Sequence, residues 1–356
     1  MSSKVLKAIS IMILFFIFPS FVLASPEILN ISGNLSDGNE IVLSGNDFGT
    51  RGDYNNLGDT WGGDEFLNFR FKDFEDNQIE SDGFYLGMDD SYNIQSGGRS
   101  GSNYYGSAFY GTSEERVWHS VDMALSPTTV YSTFWFMMPP NTQSGKFFRI
   151  YFGSIGSSDI YLSTGCDGRQ IRGASECNEF VNWGTGPSFG DNTWHRVEVL
   201  IDNLGNISTY MDGTLAWSYN NWTVGGSCSW SPNGHTMDFP NMIDQPGEFR
   251  CASHPTWEGS YNYDDIFIDF TQARVEICDG STWANRGVCE IQLPKSWSNS
   301  SLSFLMNQGA MSNLSNKYLY VVDSFGSVNT AGHSVIIGSG SGDTIPPVAP
   351  VNLSVL

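Results

Sequence analysis

The stretch TWHRVEVLIDNLGNISTYMDGTLAW, residues 193–217, is the clearest indicator of the fold in this chain. Apolar and polar residues alternate on both sides of a turn at Gly205, and a second turn follows at Asp212-Gly213. Successive side chains of a strand point to opposite faces, so the pattern predicts antiparallel strands with one buried face. The predicted core face carries His195, Val197, Val199 and Ile201, and the opposite face carries Trp194, Arg196 and Glu198.

Short alternating runs of the same kind recur along the chain, and Gly, Asn, Asp and Ser separate them. Almost no stretch shows the 3.6-residue apolar period of an amphipathic helix. Many short strands with frequent turn residues are typical of an all-β sandwich or barrel, which is the fold class that we expect. The clearest predicted strands span residues 116–122, 130–138, 146–152, 159–163, 194–201, 206–212 and 265–270.

The composition limits the number of domains and the classes of partner. A chain of 356 residues is long enough for two domains and a targeting segment. Only 15% of the residues are charged, yet the net charge is −21, so nucleic acid and anionic membrane surfaces are disfavoured as partners. An aromatic content of 14% on an acidic chain suits neutral polymers or ligands bound through calcium, although solubility in a salty exterior explains the charge equally well.

The N-terminus predicts export. Lys4 and Lys7 precede the apolar run AISIMILFFIFPSFVLA, and the small residues Val22 and Ala24 are typical of a cleavage site. We therefore expect a signal peptide over residues 1–24 and a secreted or cell-surface protein with no membrane insertion after cleavage. A retained membrane anchor is the alternative, which the shortness of the run and Pro19 disfavour.

The six cysteines predict disulfides, because an even number in an exported chain is typical of a disulfide framework. Six cysteines allow 15 connectivities, and spacing favours two local pairs of residues eleven apart. Zinc is the alternative, disfavoured because no Cys-x-x-Cys occurs. The preferred pairs are Cys166 with Cys177, Cys278 with Cys289, and Cys228 with Cys251.

Two separated segments resemble halves of an IPT/TIG immunoglobulin-like domain. Residues 26–49 contain Leu-Ser-Gly-Asn-Asp-Phe-Gly after a Pro-initiated strand, and residues 274–338 contain a Trp-Ser pair before an alternating strand. The resemblance implies one sandwich, formed by residues 25–60 and 273–338, with a larger domain inserted between them; two incomplete parts in series are the alternative. Residues 339–356 are rich in Gly, Ser and Pro and predict a linker to a further module.

The middle of the chain, residues 61–272, resembles a concanavalin A-like jelly roll of the laminin-G, legume-lectin and polysaccharide-lyase kind. The opening stretch carries most of this resemblance, FKDFED at 71–76 resembles the first strand, and YDDIFID at 263–269 resembles the last. The fold hosts lectins, hydrolases, lyases and adhesive modules, so the resemblance alone names no activity.

A polar-aromatic strand face is the predicted ligand site. Aromatic rings stack on sugar C–H groups, and Arg and Glu bind hydroxyls or uronate carboxylates, so a polysaccharide or glycan is the expected partner. An ordinary solvent face with weak cross-strand ion pairs is the alternative. The predicted ligand-binding residues are Arg149, Tyr151, Tyr161, Trp194, Arg196, Glu198 and Tyr210.

Candidate catalytic residues are incomplete. A lyase needs a base, a proton donor and a positive group, and His119, Tyr151 and Arg149 could supply them. However, His119 alternates with Val117 and Val121, which favours a buried position. The charged motifs of jelly-roll alginate lyases and the Glu-x-Asp-x-x-Glu strand of glycosidases are missing. We therefore expect a non-catalytic carbohydrate-binding or adhesion protein, with a uronate-specific polysaccharide lyase and a non-binding spacer as alternatives.

Acidic residues near both ends of the predicted jelly roll indicate a structural calcium site. Carboxylates are the hard oxygen ligands that Ca²⁺ prefers, and the resemblance implies that the first and last strands are adjacent. The predicted ligands are Glu75, Asp76, Asp264 and Asp265, and backbone capping by these acids is the alternative.

Overall fold

The structure, a computed structural model, describes residues 24–51, 70–78, 84–86, 92–99, 102–110, 119–123, 129–140, 146–151, 159–164, 171–175, 190–202, 206–220, 235–239, 259–311 and 313–335. The described residues do not include the predicted signal peptide up to residue 23 or the predicted linker at 339–356. Four of the cysteines also lie outside them: Cys166, Cys177, Cys228 and Cys251. Within the described ranges, no helix has the length and apolar character needed to cross a bilayer.

The largest sheet contains eight antiparallel strands in the order β14-β13-β12-β8-β16-β6-β5, with β3 also paired to β16. The opening stretch forms three neighbouring strands of this sheet, as its alternation predicts. The strands are β3 (Arg70–Lys72), β5 (Tyr92–Ser96), β6 (Tyr104–Tyr110), β8 (Val130–Met137), β12 (His195–Ile201), β13 (Ile207–Met211), β14 (Thr214–Tyr219) and β16 (Gly259–Asp269).

A second sheet of six antiparallel strands has the order β11-β10-β9-β15-β7-β4. Its strands are β4 (Phe84–Leu86), β7 (His119–Met123), β9 (Lys146–Tyr151), β10 (Asp159–Thr164), β11 (Ile171–Ser175) and β15 (His235–Phe239).

The core of the large domain combines residues of these two sheets. Phe134 and Phe136 of β8 and Tyr263 of β16 share one buried cluster with Phe147 and Phe148 of β9. Ring centroids of Phe136 and Phe147 lie 5.4 Å apart, and those of Phe136 and Tyr263 lie 5.1 Å apart. The chain is therefore an all-β protein with a jelly-roll sandwich, which confirms the predicted fold class.

A seven-stranded antiparallel sheet, in the order β1-β2-β19-β18-β17-β20-β21, forms the smaller sandwich. β2 pairs directly with β19, so the strands that precede the jelly roll share a sheet with those that follow it. The strands are β1 (Glu27–Gly33), β2 (Glu40–Asn46), β17 (Arg274–Cys278), β18 (Cys289–Trp297), β19 (Ser301–Leu305), β20 (Tyr318–Val322) and β21 (His333–Ser334), and a short 3-10 turn spans Trp283–Asn285.

β18 joins the two halves of the smaller sandwich. Its first half pairs with β17 and its second half with β19. One buried cluster contains Ile41 and Leu43 from one half, and Ile277 and Val321 from the other, so the sheet encloses its own core. The predicted disulfide between Cys278 and Cys289 is present and joins directly paired positions of β17 and β18.

A buried ion pair lies where the chain passes between the two sandwiches. β16 ends at Asp269, and β17 begins at Arg274 after a short segment that includes the buried Phe270. Arg51, on the incoming side, forms a buried ion pair with Asp269 on the outgoing side. This ion pair joins the segment that follows β2 to the end of β16.

Candidate functional site

Polar and aromatic positions form a row across the six-stranded sheet. Tyr161 pairs with Arg149, Arg149 with Asp238, Asp238 with Ser120, and Ser120 with Tyr85. Neighbouring strands lie about 4.8 Å apart, so five positions on five strands span roughly 19 Å. A row of this length matches an extended ligand better than a single small molecule.

The row lies on the face of the sheet that is opposite to the core. Leu162 pairs with Phe148, and both residues are fully buried in the core of the jelly roll. The pairing of β9 with β10 shifts at Phe147, which is also buried in the core, so faces are counted from the Leu162–Phe148 pair. Counted from that pair, Arg149 and Tyr161 take positions on the outer face. Tyr151, paired with Asp159, shares that face, whereas His119 takes a core-side position beside Ser120, as its alternation with Val121 predicts.

The other predicted ligand residues belong to a different sheet. Arg196 and Glu198 lie on β12 of the eight-stranded sheet, where they pair with Trp135 and Thr133 of β8. Their exposed fractions are only 3% and 2%. The alternation of β12 predicts that both side chains lie on an exposed face; they are instead buried, because the smaller sandwich covers this part of the sheet.

The covering interface contains a buried network of ion pairs, which we call the Arg196 network. Arg196 pairs with Glu276 at 3.0 Å, and Arg286 pairs with Glu198 at 3.0 Å. The hydroxyl of Tyr131 donates a hydrogen bond of 2.9 Å to Glu198. Arg196, Glu198 and Tyr131 come from the jelly roll, and Arg274, Glu276 and Arg286 come from the smaller sandwich.

Burial and charge set the protonation of this network. Burial opposes ionisation of Glu276, but the guanidinium groups of Arg196 and Arg274 hold the pKa of that carboxyl well below its usual range. Burial raises the pKa of the Tyr131 hydroxyl well above 10, so the phenol stays neutral and donates. The network therefore acts as a fixed charged interface and not as a proton-transfer site.

A second buried cluster, the Glu290 cluster, joins the sandwiches nearby. Glu290 of β18 accepts two hydrogen bonds from Arg99, at 2.7 and 3.2 Å, and one from the indole of Trp135. The backbone N–H of Ala310 donates a further hydrogen bond to the same carboxylate. The Arg99 guanidinium lies 4.5 Å from the centroid of the Trp135 ring. Residues of both sandwiches thus share one carboxylate.

The predicted calcium ligands have protein partners. Asp265 pairs with Arg99, and Asp76 pairs with Lys72 at 2.7 Å. Glu75 accepts hydrogen bonds from the Ser102 hydroxyl and from the backbone and side chain of Asn103, with a fourth from a neighbouring backbone N–H. Two of the four predicted carboxylates, Asp76 and Asp265, are therefore neutralised by cationic side chains.

Asp264 differs from the other predicted ligands. Its carboxylate is fully buried, and one oxygen, Oδ2, makes no hydrogen bond, although the Arg99 Nε lies 3.6 Å away. Burial, and then the negative charges of Glu75 and Asp73, raise the pKa of Asp264 to about 8 against the opposing effect of Arg99. Asp73 and Glu75 are thus near enough to Asp264 to raise its pKa, although oxygen atoms of these three carboxylates do not all come within 4.8 Å of one another.

Another trio of potential ligand atoms, from Glu276, Cys278 and Cys289, lies within 4.8 Å in the described part of the chain. The two sulfur atoms form the disulfide, so neither is a free thiolate for a metal. This trio is a structural group of the smaller sandwich.

Tyr210 and Trp194 remain partly accessible at the edges of the covered face. The Arg286 guanidinium lies 6.0 Å from the Tyr210 ring centroid, at the seam between the sandwiches. Trp194 instead contacts Tyr105 edge to face, with ring centroids 5.5 Å apart. Of the predicted ligand residues on this sheet, Trp194 is the one away from the Arg196 network.

Sequence reasoning missed Tyr85, Ser120 and Asp238, which complete the row on the six-stranded sheet. Alternating residues in HTMDF at 235–239 and in the strand that contains Ser120 indicate which face of its strand each residue occupies. Which strands are neighbours is decided by long-range pairing, which local alternation does not encode.

His195 is only partly buried, although the alternation of its strand predicts a core position. The ring is half-buried at the end of β12, with Nδ1 2.8 Å from Asp212 and Nε2 3.2 Å from Asp191. Burial alone lowers its pKa, but the carboxylates of Asp212 and Asp191 outweigh this effect, and the pKa of His195 is raised above 6.5. His195 thus joins the start of β12 to the turn after β13.

This ion pair predicts a pH-dependent contribution to stability. A raised histidine pKa stabilises the fold fully below about pH 6.5, and the stabilisation is lost as the pH rises through the folded-state value. We therefore expect His195→Gln to lower the urea midpoint more at pH 6 than at pH 9. Equal differences between wild type and variant at both pH values would contradict this assignment.

No model of a known protein family matches the sequence, and no curated protein matches it. Among solved structures, it is similar to a cellulose induced protein, Cip1, with a TM-score of 0.41, 11% identity, and coverage of 56% of this chain and 97% of that one. An endo-β-1,4-glucuronan lyase from the fungus Trichoderma reesei gives a TM-score of 0.38 and 12% identity over 52% of this chain and 90% of that one.

A botulinum neurotoxin type G receptor binding domain gives a TM-score of 0.36 and 13% identity, with 71% of each chain covered. The structure of an HCR/D mutant gives a TM-score of 0.36 and 11% identity, over 52% of this chain and 44% of that one. These similarities concern the β-sandwich fold alone, and no activity is transferred from them.

Proposed function

We propose that this protein is a secreted or surface-attached carbohydrate-binding protein whose ligand lies across the outer face of the six-stranded sheet. The observation that supports this proposal is a row of residues in register on five neighbouring strands: Tyr161, Arg149, Asp238, Ser120 and Tyr85. Export through a signal peptide at residues 1–24 is part of this proposal, as is an IPT/TIG-like identity for the smaller sandwich, into which the jelly roll is inserted.

The residue types of the row support a sugar ligand. Tyrosine offers a flat apolar ring with a polar end, and arginine offers a planar fork of donors for hydroxyl or carboxylate oxygens. Asp238 adds a carboxylate acceptor on the strand beside Arg149, and Ser120 adds a hydroxyl on the next strand. Ligand sites typically combine apolar rings with a few polar groups of this kind.

The position of the smaller sandwich supports the same face. Arg196, Trp135 and Asp264 on the eight-stranded sheet are buried beneath it. That part of the sheet therefore offers no ligand surface, whereas the row belongs to the opposite sheet of the jelly roll.

Polysaccharide pull-down and a glycan array test the proposal. Wild-type protein should bind one or more polysaccharides, and Tyr161→Ala and Arg149→Ala should each weaken binding about tenfold, the effect of losing about 1.4 kcal/mol. Phe325→Ala is the matched control, because Phe325 is 72% exposed on the smaller sandwich and should not matter. Absence of binding to every glycan, with calcium present, would support a non-binding spacer instead.

A polysaccharide lyase is the second candidate, and the placement of Tyr151 favours it. Tyr151 lies two residues from Arg149 on the same strand face, and Arg149 is paired with Tyr161. A tyrosine beside a cationic group could transfer a proton while the arginine neutralises a uronate. An ultraviolet assay for unsaturated product on alginate, pectin, glucuronan and ulvan separates the candidates, with Tyr151→Phe as the inactive variant.

We further propose a structural calcium ion held by Glu75 and Asp264. The buried Asp264 Oδ2 without a hydrogen bond and the mutual repulsion of the carboxylates support a cation here. Asp76 and Asp265 are left out, because Lys72 and Arg99 already neutralise them. Hard oxygen donors of this kind suit Ca²⁺.

Calcium should therefore stabilise the wild-type protein. A ligand that binds only the folded state adds about 2.7 kcal/mol at a hundredfold excess over its Kd, so CaCl₂ should raise Tm relative to EGTA. Asp264→Asn should abolish the shift. Glu40→Gln, which removes an exposed carboxylate of the smaller sandwich, should keep it. An unchanged wild-type Tm in CaCl₂ would refute the calcium site and leave the glycan proposal untouched.

A further inference from the structure

A short sequence pattern recurs along the chain. Asn, an aliphatic residue and Ser follow one another at residues 30–32, 34–36, 206–208 and 313–315, and Asn-Ser-Ser stands at 299–301. Asn-x-Ser is the acceptor pattern for an N-linked glycan in exported proteins. Because three residues are a short pattern, the structural setting of each asparagine decides which copies are acceptor sites.

The first two copies of the pattern lie on β1 and on the turn that follows it. In both, the middle residue, Ile31 or Leu35, packs against the core of the smaller sandwich. The residues on either side of each middle residue are exposed: Asn30, Ser32, Asn34 and Ser36. Packing of the middle residue thus holds each asparagine at the surface with its serine beside it.

Asn34 has hydrogen bonds that suit an acceptor amide. The Ser36 hydroxyl donates a hydrogen bond of 3.0 Å to the Asn34 Oδ1, and the Ser36 backbone N–H donates one of 2.7 Å to the Asn34 carbonyl. The amide oxygen is therefore engaged, whereas no described residue accepts a hydrogen bond from the Asn34 Nδ2. The nitrogen to which a sugar is attached thus remains accessible on a hydrogen-bonded turn.

Asn206 has a different setting in the jelly roll. It is half-buried, and its Nδ2 donates a hydrogen bond of 2.7 Å to the Asp202 Oδ2. Its backbone N–H donates to the other oxygen of the same carboxylate at 2.9 Å. A sugar on this nitrogen competes with the contact to Asp202, so Asn206 is the internal comparison.

The position of β1 gives a glycan there a physical role. β1 is the terminal strand of the seven-stranded sheet, and edge strands are prone to pair with other chains. A bulge bends this edge, but β1 contains no Lys or Pro and a single charge, Glu27. Leu29, adjacent to Asn30, is 58% exposed, and Val42, paired with Ser32, is 38% exposed. A glycan on Asn30 would cover these aliphatic side chains.

We infer that Asn30 and Asn34 bear N-linked glycans that shield the edge of the smaller sandwich. The inference rests on the proposed export, because exported chains are the substrates of this modification. The glycan donor is of the class of oligosaccharides linked to a lipid through pyrophosphate. The asparagine Nδ2 forms a bond to C1 of the first sugar, the bond from C1 to the pyrophosphate oxygen breaks, and the lipid pyrophosphate leaves. One proton of the amide passes to a base of the transferase.

Peptide mapping of the protein secreted by its own cells tests this inference. The mature N-terminus is determined first, since a start at Ser25 establishes export. Cleavage after acidic residues releases residues 28–37, a peptide that contains both asparagines and should show the added mass of one or two glycans. Occupancy of this peptide should be several-fold higher than that of Asn206.

Matched variants locate the modification. Ser32→Ala and Ser36→Ala should each remove one glycan mass while both asparagines stay in place. Asn39→Gln should leave the mass unchanged, because Asn39 is an exposed asparagine of the same turn that lacks the acceptor pattern. The double variant Ser32→Ala with Ser36→Ala should self-associate more than Asn39→Gln in light scattering.

The outcomes separate this inference from carbohydrate binding by the jelly roll. An exported, mature protein with unmodified Asn30 and Asn34 would overturn the inference and leave the proposed ligand face untouched. Equal self-association of glycosylated and unglycosylated protein would overturn the shielding role. Retention of the protein in the cells with residues 1–24 uncleaved would overturn export and this inference together.

Discussion

Replacing Glu276 with glutamine should lower the free energy of unfolding by about 3–5 kcal/mol, because the change leaves buried arginines without their counter-charge. Glu276 is fully buried between Arg196 of the jelly roll and Arg274 of the smaller sandwich. The loss should appear as a reduced urea midpoint with one cooperative transition, since the network joins both sandwiches.

Two variants make this experiment specific. Glu40→Gln breaks the exposed ion pair with Lys295, in which the lysine side chain is 37% and the glutamate side chain 48% accessible. This change should cost less than about 1 kcal/mol. The double variant Arg196→Met with Glu276→Leu should recover a large part of the loss, because apolar side chains can replace a buried ion pair. A Glu276→Gln effect as small as that of Glu40→Gln would show that the interface is hydrated and open.

Replacing Arg99 with methionine should have a comparable effect of about 3–5 kcal/mol at neutral pH. Arg99 pairs with Asp265 and Glu290 and lies 3.6 Å from Asp264, and its removal leaves buried carboxylate charge without a counter-charge. The penalty should shrink as the pH is lowered, because protonation of a carboxylate removes the repulsion and the folded state then binds more protons than the unfolded chain.

Urea unfolding at pH 5 and pH 8, in EDTA, measures this dependence. Lys317→Gln is the matched control, because it breaks the more exposed pair with Asp279 and should cost under about 1 kcal/mol at either pH. If Arg99→Met lowers the free energy of unfolding equally at both pH values, repulsion between buried carboxylates is not the cause of the loss.

Local alternation predicted a large part of the fold. Val197, Val199 and Ile201 lie in the core as expected, because a period of two is a property of the strand itself. The pair Cys278 and Cys289 is likewise a local prediction, since eleven residues separate two neighbouring strands. The sequence analysis named Arg149 and Tyr161, two positions of the candidate row, and long-range pairing adds their neighbours on the other strands.

Alternation failed at a bulge in β16. Strand pairing between β16 and β8 shifts after Asp264, and Asp265 takes a φ of 46°. Both carboxylates consequently reach Arg99, where a regular strand would direct them to opposite faces. The calcium prediction, which treats both as free ligands, misses this arginine because Arg99 is remote in sequence.

The alternating residues of the opening stretch were sufficient to identify strands, a sandwich and the side chains of its core. They also separated Arg196 and Glu198 from the core correctly, but a pattern of two faces does not specify what covers the second one. The tertiary structure places Glu276 and Arg286 over that face and leaves Trp194 accessible beyond it. Burial of a sheet face depends on contacts between distant segments, and these are decided by packing of the whole chain.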